Sequence, residues 1–301
     1  MAVEISDWND LDSIRNDLTG DYILVNDIDS SSAGYDTHGS SNANGGSGWN
    51  PINNFEGTLD GDGYEVRDLY ISRGSTSGVG FMGSGSTNTS IVKNLGIVNA
   101  DVTGSDWVGV IAGDARSEFT DCYCTGTVSS NNGKAGGFVG RAYGGSITRG
   151  YTTASVSGDG GDTGGFIGES QITISQSYSA GTVTGVNTLS VGGFVGQNAF
   201  GTVNDCYWDT ESSGQSTGEA GTGLTTSEMQ GLEAESNMTG FDFTNNWTAV
   251  DSANSRYGSD GYPILNALKK ENQVQAQGIN YSYPQGLFVW TGSIWKKVAG
   301  V

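Results

Sequence analysis

The chain repeats itself at a nearly fixed interval. Gly-Gly-Phe-Val-Gly at 136–140 returns as Gly-Gly-Phe-Ile-Gly at 164–168 and Gly-Gly-Phe-Val-Gly at 192–196. Looser copies stand upstream, Gly-Val-Gly-Phe-Met-Gly at 78–83 and Val-Gly-Val-Ile-Ala-Gly at 108–113. The closing glycines Gly83, Gly113, Gly140, Gly168 and Gly196 are 30, 27, 28 and 28 residues apart. A second landmark keeps step with them: Leu95, Tyr123, Tyr151, Tyr178 and Tyr207, spaced 28, 28, 27 and 29. Val128, Val156 and Val183 each follow five residues after a tyrosine of that series. Such periodicity belongs to chains that stack one supersecondary unit on the next, each unit burying its apolar face against its neighbours.

Within a period, short runs of β-branched and aromatic residues alternate with Gly, Ser, Thr, Asn and Asp, and helical spacing is absent. That pattern predicts strands joined at tight corners. The expected fold is all-β, a parallel β-helix (β-solenoid) with one turn per period and turns about 4.8 Å apart. Residues 21–210 then supply roughly seven turns, a rod of about 33 Å. Like residues stack on like, so Phe81, Phe138, Phe166 and Phe194 are expected to form one internal ladder, and Tyr123, Tyr151, Tyr178 and Tyr207 a second. The second repeat departs from the signature, with Trp107-Val-Gly-Val-Ile replacing Gly-Gly-Phe-Val.

The same geometry bears on the three cysteines. Cys122 and Cys206 occupy equivalent places three turns apart, about 14 Å, beyond the ~7 Å reach of a disulfide. Cys122 and Cys124 stand two apart on one strand, where a bridge is strained. Free, partly buried thiols are expected. The single histidine, His38, lies far from them in a Ser/Gly/Asn-rich loop over 30–50 that reads as exposed, so neither a zinc set nor a Ser/His/Asp triad is credible.

Composition suits a slender fold. Of 301 residues 50 are glycine, three are proline and 35% are hydrophobic, a small core for a compact body and enough for a narrow stack. Thirteen basic residues stand against 33 acidic, a net charge of −20, and six of the basic residues are lysine. At molar salt, where the Debye length is about 3 Å, the self-repulsion of such a surface is screened. A halophilic source follows as an expectation, with a merely acidic mesophilic protein as the alternative. Nucleic acid is an unsuitable partner, since phosphate binding needs clustered Lys and Arg. No run approaches the ~20 apolar residues that cross a bilayer, so membrane insertion is not expected. The N-terminus has no basic start or apolar core, so no signal peptide is visible.

Four segments are expected. Residues 1–50 form an N-terminal cap and first coil, in which Asp7 caps a helix bearing Leu11, Ile14 and Leu18 on one face and Tyr22–Val25 is the first strand. Residues 51–210 form the repeats. Residues 211–268 form a C-terminal cap with Phe241, Phe243 and Trp247 as an aromatic plug. Residues 269–301 form a linker and a hairpin tail, two β-rich runs flanking Thr291-Gly292-Ser293. The tail holds four lysines and one glutamate, net +3, against nine basic and 32 acidic residues before it, net −23. Trp290, Trp295, Lys296 and Lys297 are the candidate anchoring or oligomerisation residues.

The Gly-Gly-Phe-(Val/Ile)-Gly signature and the tyrosine-centred strand resemble the GLUG-motif repeats of bacterial and archaeal surface proteins, including IgA-peptidase-type adhesins. Phe55-Glu-Gly-Thr-Leu-Asp-Gly-Asp-Gly-Tyr64 is similar to their first coil. Gly223-Leu-Thr-Thr-Ser-Glu-Met-Gln230 and Gly261-Tyr-Pro-Ile-Leu265 are similar to their closing segment. The resemblance covers residues 1–268 and implies a right-handed β-helix used for display or adhesion, without implying a reaction. The tail pattern resembles Trp-Thr/Asn-Gly-x-x-Trp hairpins near the ends of virus tail and capsid-associated proteins.

No catalytic residue and no cofactor is assigned. A structural cation at Asp60 and Asp62, or at Asp159 and Asp162, is weighed against a plain turn, and the turn is favoured because no EF-hand loop is present. The function expected is a non-enzymatic structural protein on the virion surface of a halophilic archaeal virus, of turret, decoration or tail-fibre type. Its expected partners are copies of itself (a trimer if a fibre), other virion proteins and a host-surface glycan or glycoprotein. A glycan-cleaving enzyme on the same scaffold and a fragment of a cell-surface adhesin are the alternatives.

Overall fold

The computed structural model describes residues 1–85, 90–186, 189–250 and 261–268, together with the backbone of three short strands between 282 and 297. It divides into two units, Met1–Leu268 and Lys269–Val301.

The first unit is a parallel β-solenoid. Its broad sheet climbs through Val3–Ile5, Asp21–Leu24, Thr58–Asp60, Ile91–Lys93, Glu118–Ser130, Ser146–Thr152, Thr173–Ser175 and Thr202–Asn204. A five-stranded sheet carries the signature: Met82–Ser84, Ala112–Ala115, Val139–Ala142, Ile167–Ser170 and Val195–Asn198. A narrow sheet of Ala135–Gly136, Asp162–Gly164 and Ser190–Gly192 joins them. The signature sheet marks about five full turns rather than seven, because the chain over 30–50 leaves the coil before the first of them. That excursion forms two irregular helical turns, Tyr35–Gly39 and Ala43–Gly46, and then buries Trp49 completely.

Period becomes register. Val128 pairs with Val156 and Val156 with Val183. Tyr123, Tyr151, Tyr178 and Tyr207 likewise align turn on turn. The signature glycines exist because neighbouring turns touch backbone to backbone. A Cβ on Gly165 would sit 2.1 Å from the Gly193 carbonyl oxygen, a distance no side chain tolerates.

One corner in each turn is made without glycine. Asn94, Asp121, Arg149, Gln176 and Asp205 all hold φ between 50° and 55°, two residues before each position of the tyrosine column. A left-handed L-residue costs about 1–2 kcal/mol, and side-chain links offset part of it. Arg149 grips Asp121 through two bonds of 2.6 and 2.7 Å, Asn94 donates to Asp60 at 2.9 Å, and Gln176 donates to the Gly240 carbonyl at 2.7 Å.

The N-terminal helix is Trp8–Ser13, capped by Asp7, whose carboxylate accepts from the amides of Asn9 and Asp10. It buries Trp8 and Leu11, and Ile14 in the following turn closes the same face. The first strand is not Asp21–Leu24, however. Val3–Ile5 precedes it and pairs with it in parallel. His38 is half-buried rather than exposed, with Nδ1 3.7 Å from Asp12, because the 30–50 excursion folds back on the helix.

In the second unit, Gly286–Trp290 runs antiparallel to Trp295–Lys297, with Trp290 opposite Trp295 and Val289 opposite Lys296. This is the expected hairpin. The stretch read as linker also contributes the short strand Ser282–Tyr283, paired with Gly286 and Leu287.

Candidate functional site

Both aromatic ladders form, and each departs from expectation at one end. Phe138, Phe166 and Phe194 stack with ring centroids 4.8 and 4.7 Å apart, all fully buried. Phe81 does not join them. Ile111 takes the intervening rung, since Met82, Ala112 and Val139 share one register position, and Phe81 stacks on Trp49 instead at 5.7 Å. Tyr123, Tyr151 and Tyr178 stack at 4.8 and 5.0 Å. Tyr207 pairs by backbone, but its ring turns edge-on to Phe241 at 5.4 Å.

Leu95 belongs to a different column from the tyrosines. Tyr123 pairs with Gly96, so Leu95 shares the column of Cys122 and faces the interior. A one-residue shift reverses the face of every side chain on a strand. The tyrosines therefore stand on the outside of the coil, and a separate cluster of Met229, Met238, Phe241, Trp247, Tyr262 and Leu265 covers them. The aromatic segment expected to plug the end of the solenoid lies along its flank. Tyr178 donates to the Pro263 carbonyl at 2.8 Å, and Trp247 touches the rings of both Tyr151 and Tyr178. Tyr262 donates to the buried carboxylate of Asp209, which also caps the next helix through the amides of Glu211 and Ser212. Burial, then this bond to Asp209, pushes the Tyr262 hydroxyl well above its ordinary range.

The three thiols are free and fully interior rather than partly buried. Burial pushes Cys122 and Cys206 up to about 12 and Cys124 higher still, so none is a nucleophile at neutral pH.

The most concentrated polar chemistry lies on the outer face of the signature sheet. Register aligns Asp114, Arg141, Glu169 and Gln197 on successive turns. Arg141 holds Asp114 through two bonds of 3.0 and 2.8 Å, and its guanidinium lies 3.5 Å from the Trp107 ring and 4.3 Å from Tyr143. Burial alone would lower the Arg141 pKa, but Asp114 outweighs it and the group stays firmly cationic. Lys134 pairs with Glu169 at 3.4 Å. Asp162, 2% exposed, is pushed up by burial against the pull of Lys134, with Glu169, Asp106 and Glu219 adding to the rise. Trp107 holds φ 54° where the equivalent residue one turn earlier is Gly78 at 74°. Trp107 bears the strain of a left-handed backbone where its counterpart is glycine, and its ring carries the Arg141 guanidinium. Sequence reading missed this group. The signal was present in the spacing of Asp114, Arg141 and Glu169, opposite charges 27 and 28 residues apart.

Of the carboxylates weighed as cation ligands, Asp60 behaves as a turn and pairing group. Asp60 accepts from the Asp62 amide at 2.9 Å and meets Lys93 at 3.1 Å. Burial would raise its carboxyl, but Asn94, the Asp62 amide and Lys93 together hold it below the usual range. Asp159 is exposed and Asp162 buried, on opposite sides of the Gly160-Gly161 corner. Among the described residues no three His, Cys, Asp or Glu side chains gather as metal ligands. Trp290, Trp295, Lys296 and Lys297 lie on the hairpin strands, and their side chains are outside the described residues. No helix among the described residues is long and apolar enough to cross a membrane.

Stacked turns with a phenylalanine ladder inside, a covered tyrosine ladder outside and paired charges on an outer face define a parallel β-solenoid scaffold. The chain is 37% identical over 147 residues, 46% of its length, to halomucin of Haloquadratum walsbyi. It spans about 2% of the length of halomucin. In architecture it resembles a Bacteroides ovatus protein provisionally named as an immunoglobulin A1 protease, with a TM-score of 0.64 and 21% identity over 89% of this chain and 93% of the other. That likeness speaks to the fold alone. No protein-family model matches the chain.

Proposed function

We propose that this chain is a non-catalytic surface protein of a high-salt environment, a β-solenoid whose corners and outer faces are on display. The observation that carries the proposal is the 37% identity to halomucin, whose name joins salt to mucin. The net charge of −20 supports it, because such a surface is tolerated when salt screens it. So does the outer face of the signature sheet, where Arg141 and Lys134 are engaged by Asp114 and Glu169 as cohesive pairs.

In its finer form the reading places the protein on the exterior of a virion of a halophilic host. The solenoid would be displayed outward, and Trp290, Trp295, Lys296 and Lys297 of the hairpin would hold an acidic partner. Purified virions and cell envelopes, probed with an antibody to the solenoid, test both levels. Stoichiometric signal in virions is the expected outcome. Signal confined to envelopes leaves the surface role and removes the virion. Signal confined to the soluble cell interior overturns both. Thermal unfolding from dilute to molar NaCl is a second check, with the melting temperature expected to rise; a fall would contradict a high-salt protein.

A further inference from the structure

The two ends of the solenoid are complementary steps. One column of the broad sheet reads Val3, Tyr22, Leu59, Val92, Phe119, Ile147, Ile174 and Val203, each residue paired with the next. Its six interior members are 0–4% exposed, whereas Val3 is 53% exposed and Val203 half-buried. The adjacent column reads Ile28, Val66, Ile97, Cys124, Thr152, Ser179, Trp208 and Gly223. It is displaced by one rung. At the bottom the first column extends a rung below the second, through Val3–Ile5. At the top the second extends a rung above the first, through Thr222–Leu224.

Both protruding rungs border an unfilled strand position. Thr202–Asn204 pairs only with Thr173–Ser175, and Val3–Ile5 only with Asp21–Leu24, among the described residues. In a parallel ladder, successive residues turn their backbone groups to opposite neighbours. Thr202 donates to Ile172 at 3.0 Å and Asn204 accepts from Gln176 at 3.1 Å, so both point back, and the Val203 amide and carbonyl point outward. At the other end the Ile5 carbonyl accepts from Val25 at 3.1 Å. The Glu4 amide and carbonyl therefore face out. The final turn also exposes Val186, Leu189 and Phe200, at 54%, 81% and 87%. The aromatic segment that could have sealed this end lies on the flank.

We propose that Val3–Ile5 of a second copy of this chain adds to Thr202–Asn204 as the next rung, seated beside Thr222–Leu224, so that copies stack head to tail. Val3 of one copy then covers Val203 of the other and continues the apolar column. The contact is heterologous and adds each copy as the next rung along the coil axis, leaving a free step at each end, so it propagates into a filament. Glu4 on one side and Asp205 on the other make the joint acidic, so it forms at molar salt and weakens on dilution of salt. This proposal does not depend on where the protein resides.

Proline tests it cleanly, because an edge strand tolerates a missing outward N–H. Val203→Pro removes the donor at the top step and Glu4→Pro the donor at the bottom step. Each variant keeps its inward hydrogen bonds. In sedimentation velocity of the full chain in molar NaCl, the wild type is expected to show masses that rise in whole multiples of the monomer with concentration. Each variant alone is expected to stay monomeric with an unchanged melting temperature. An equimolar mixture, holding one intact bottom step and one intact top step, is expected to form dimers and nothing larger. If Val203→Pro fails to fold, Val203→Lys replaces it, and if Glu4→Pro fails to fold, Val3→Lys replaces it, each with the same expectation. A wild type that stays monomeric in molar NaCl, variants that assemble as it does, or a mixture that stays monomeric each overturns the proposal.

Discussion

Phe138, Phe166 and Phe194 stack inside the coil at 4.8 and 4.7 Å, and Tyr123, Tyr151 and Tyr178 stack outside it, in the same three turns, at 4.8 and 5.0 Å. All six rings are at most 2% exposed. The inner stack is sealed by the turns that carry it. The outer stack is sealed by a different part of the chain, the segment holding Met229, Phe241, Trp247 and Tyr262. Equal burial thus rests on unequal cooperativity. Opening the inner stack requires separating the turns, while opening the outer one requires only that the cover lift.

Truncating each stack should separate the two cases. Phe166 is sandwiched between two phenylalanines in a column that cannot collapse without moving backbone, so Phe166→Ala should cost about 3–5 kcal/mol of global stability. Urea unfolding followed by far-UV circular dichroism measures it, and a loss under 1 kcal/mol would remove Phe166 from the core. Trp247→Ala removes the residue that bridges Tyr151 and Tyr178 from the cover side. Here about 2–3 kcal/mol is expected, because the cover can detach and spare the coil. Hydrogen exchange should then show lost protection over 229–250 with the repeats unchanged. Protection lost equally in the repeats would mean that cover and coil unfold as one.

The inner stack was legible in the sequence and the position of the outer one was not. Phenylalanine within Gly-Gly-Phe-(Val/Ile)-Gly can only face inward, because the glycines around it leave no room for side chains between turns. The tyrosines were legible as a register and not as a face. The 28-residue spacing aligns their series with Leu95, an interior residue, whereas the structural equivalent is Gly96. Period alone does not distinguish two columns one residue apart. A Cβ on Gly96 would sit 2.3 Å from the Tyr123 ring, so the missing side chain was itself the marker of the tyrosine column. The split of the phenylalanine ladder was hidden for a related reason. Trp107-Val-Gly-Val-Ile was visible as a departure, but that Ile111 takes the phenylalanine rung follows only from backbone pairing. The Trp107–Arg141–Asp114 group was missed because its members recur by charge complementarity across turns rather than by identity.

Alkaline titration probes the interior column behind the tyrosines. Burial raises Cys122 to about 12 in the fold, against about 8.5 for an unfolded thiol. A raised folded-state pKa means that the stabilisation is complete below about pH 8.5 and is lost as pH climbs from there toward 12. Each such thiol contributes a slope of about 1.4 kcal/mol per pH unit in that window. Cys122→Ala should flatten the pH dependence by about that slope, measured as urea midpoints between neutral pH and about pH 10. An unchanged slope would mean that the thiol already ionises in the fold. It would then react with alkylating agents without unfolding, which its burial otherwise forbids.

The smallest effect addresses how the cover is held. The Tyr178 hydroxyl donates to the Pro263 carbonyl at 2.8 Å, a buried bond joining the outer stack directly to the cover, at the residue before its short strand Ile264–Leu265. Tyr178→Phe keeps the ring, and so keeps the stacking on Tyr151 and the contact with Trp247. It strips the donor from a carbonyl that has little access to water, which costs about 1 kcal/mol, or up to 3 if the carbonyl finds no other partner. If ring packing carries the cover, Tyr178→Phe should leave exchange over 229–250 nearly as slow as in the wild type while Trp247→Ala accelerates it. If the hydrogen bond carries it, the two variants should expose the cover alike, and the outer stack would be a polar latch rather than an apolar seam.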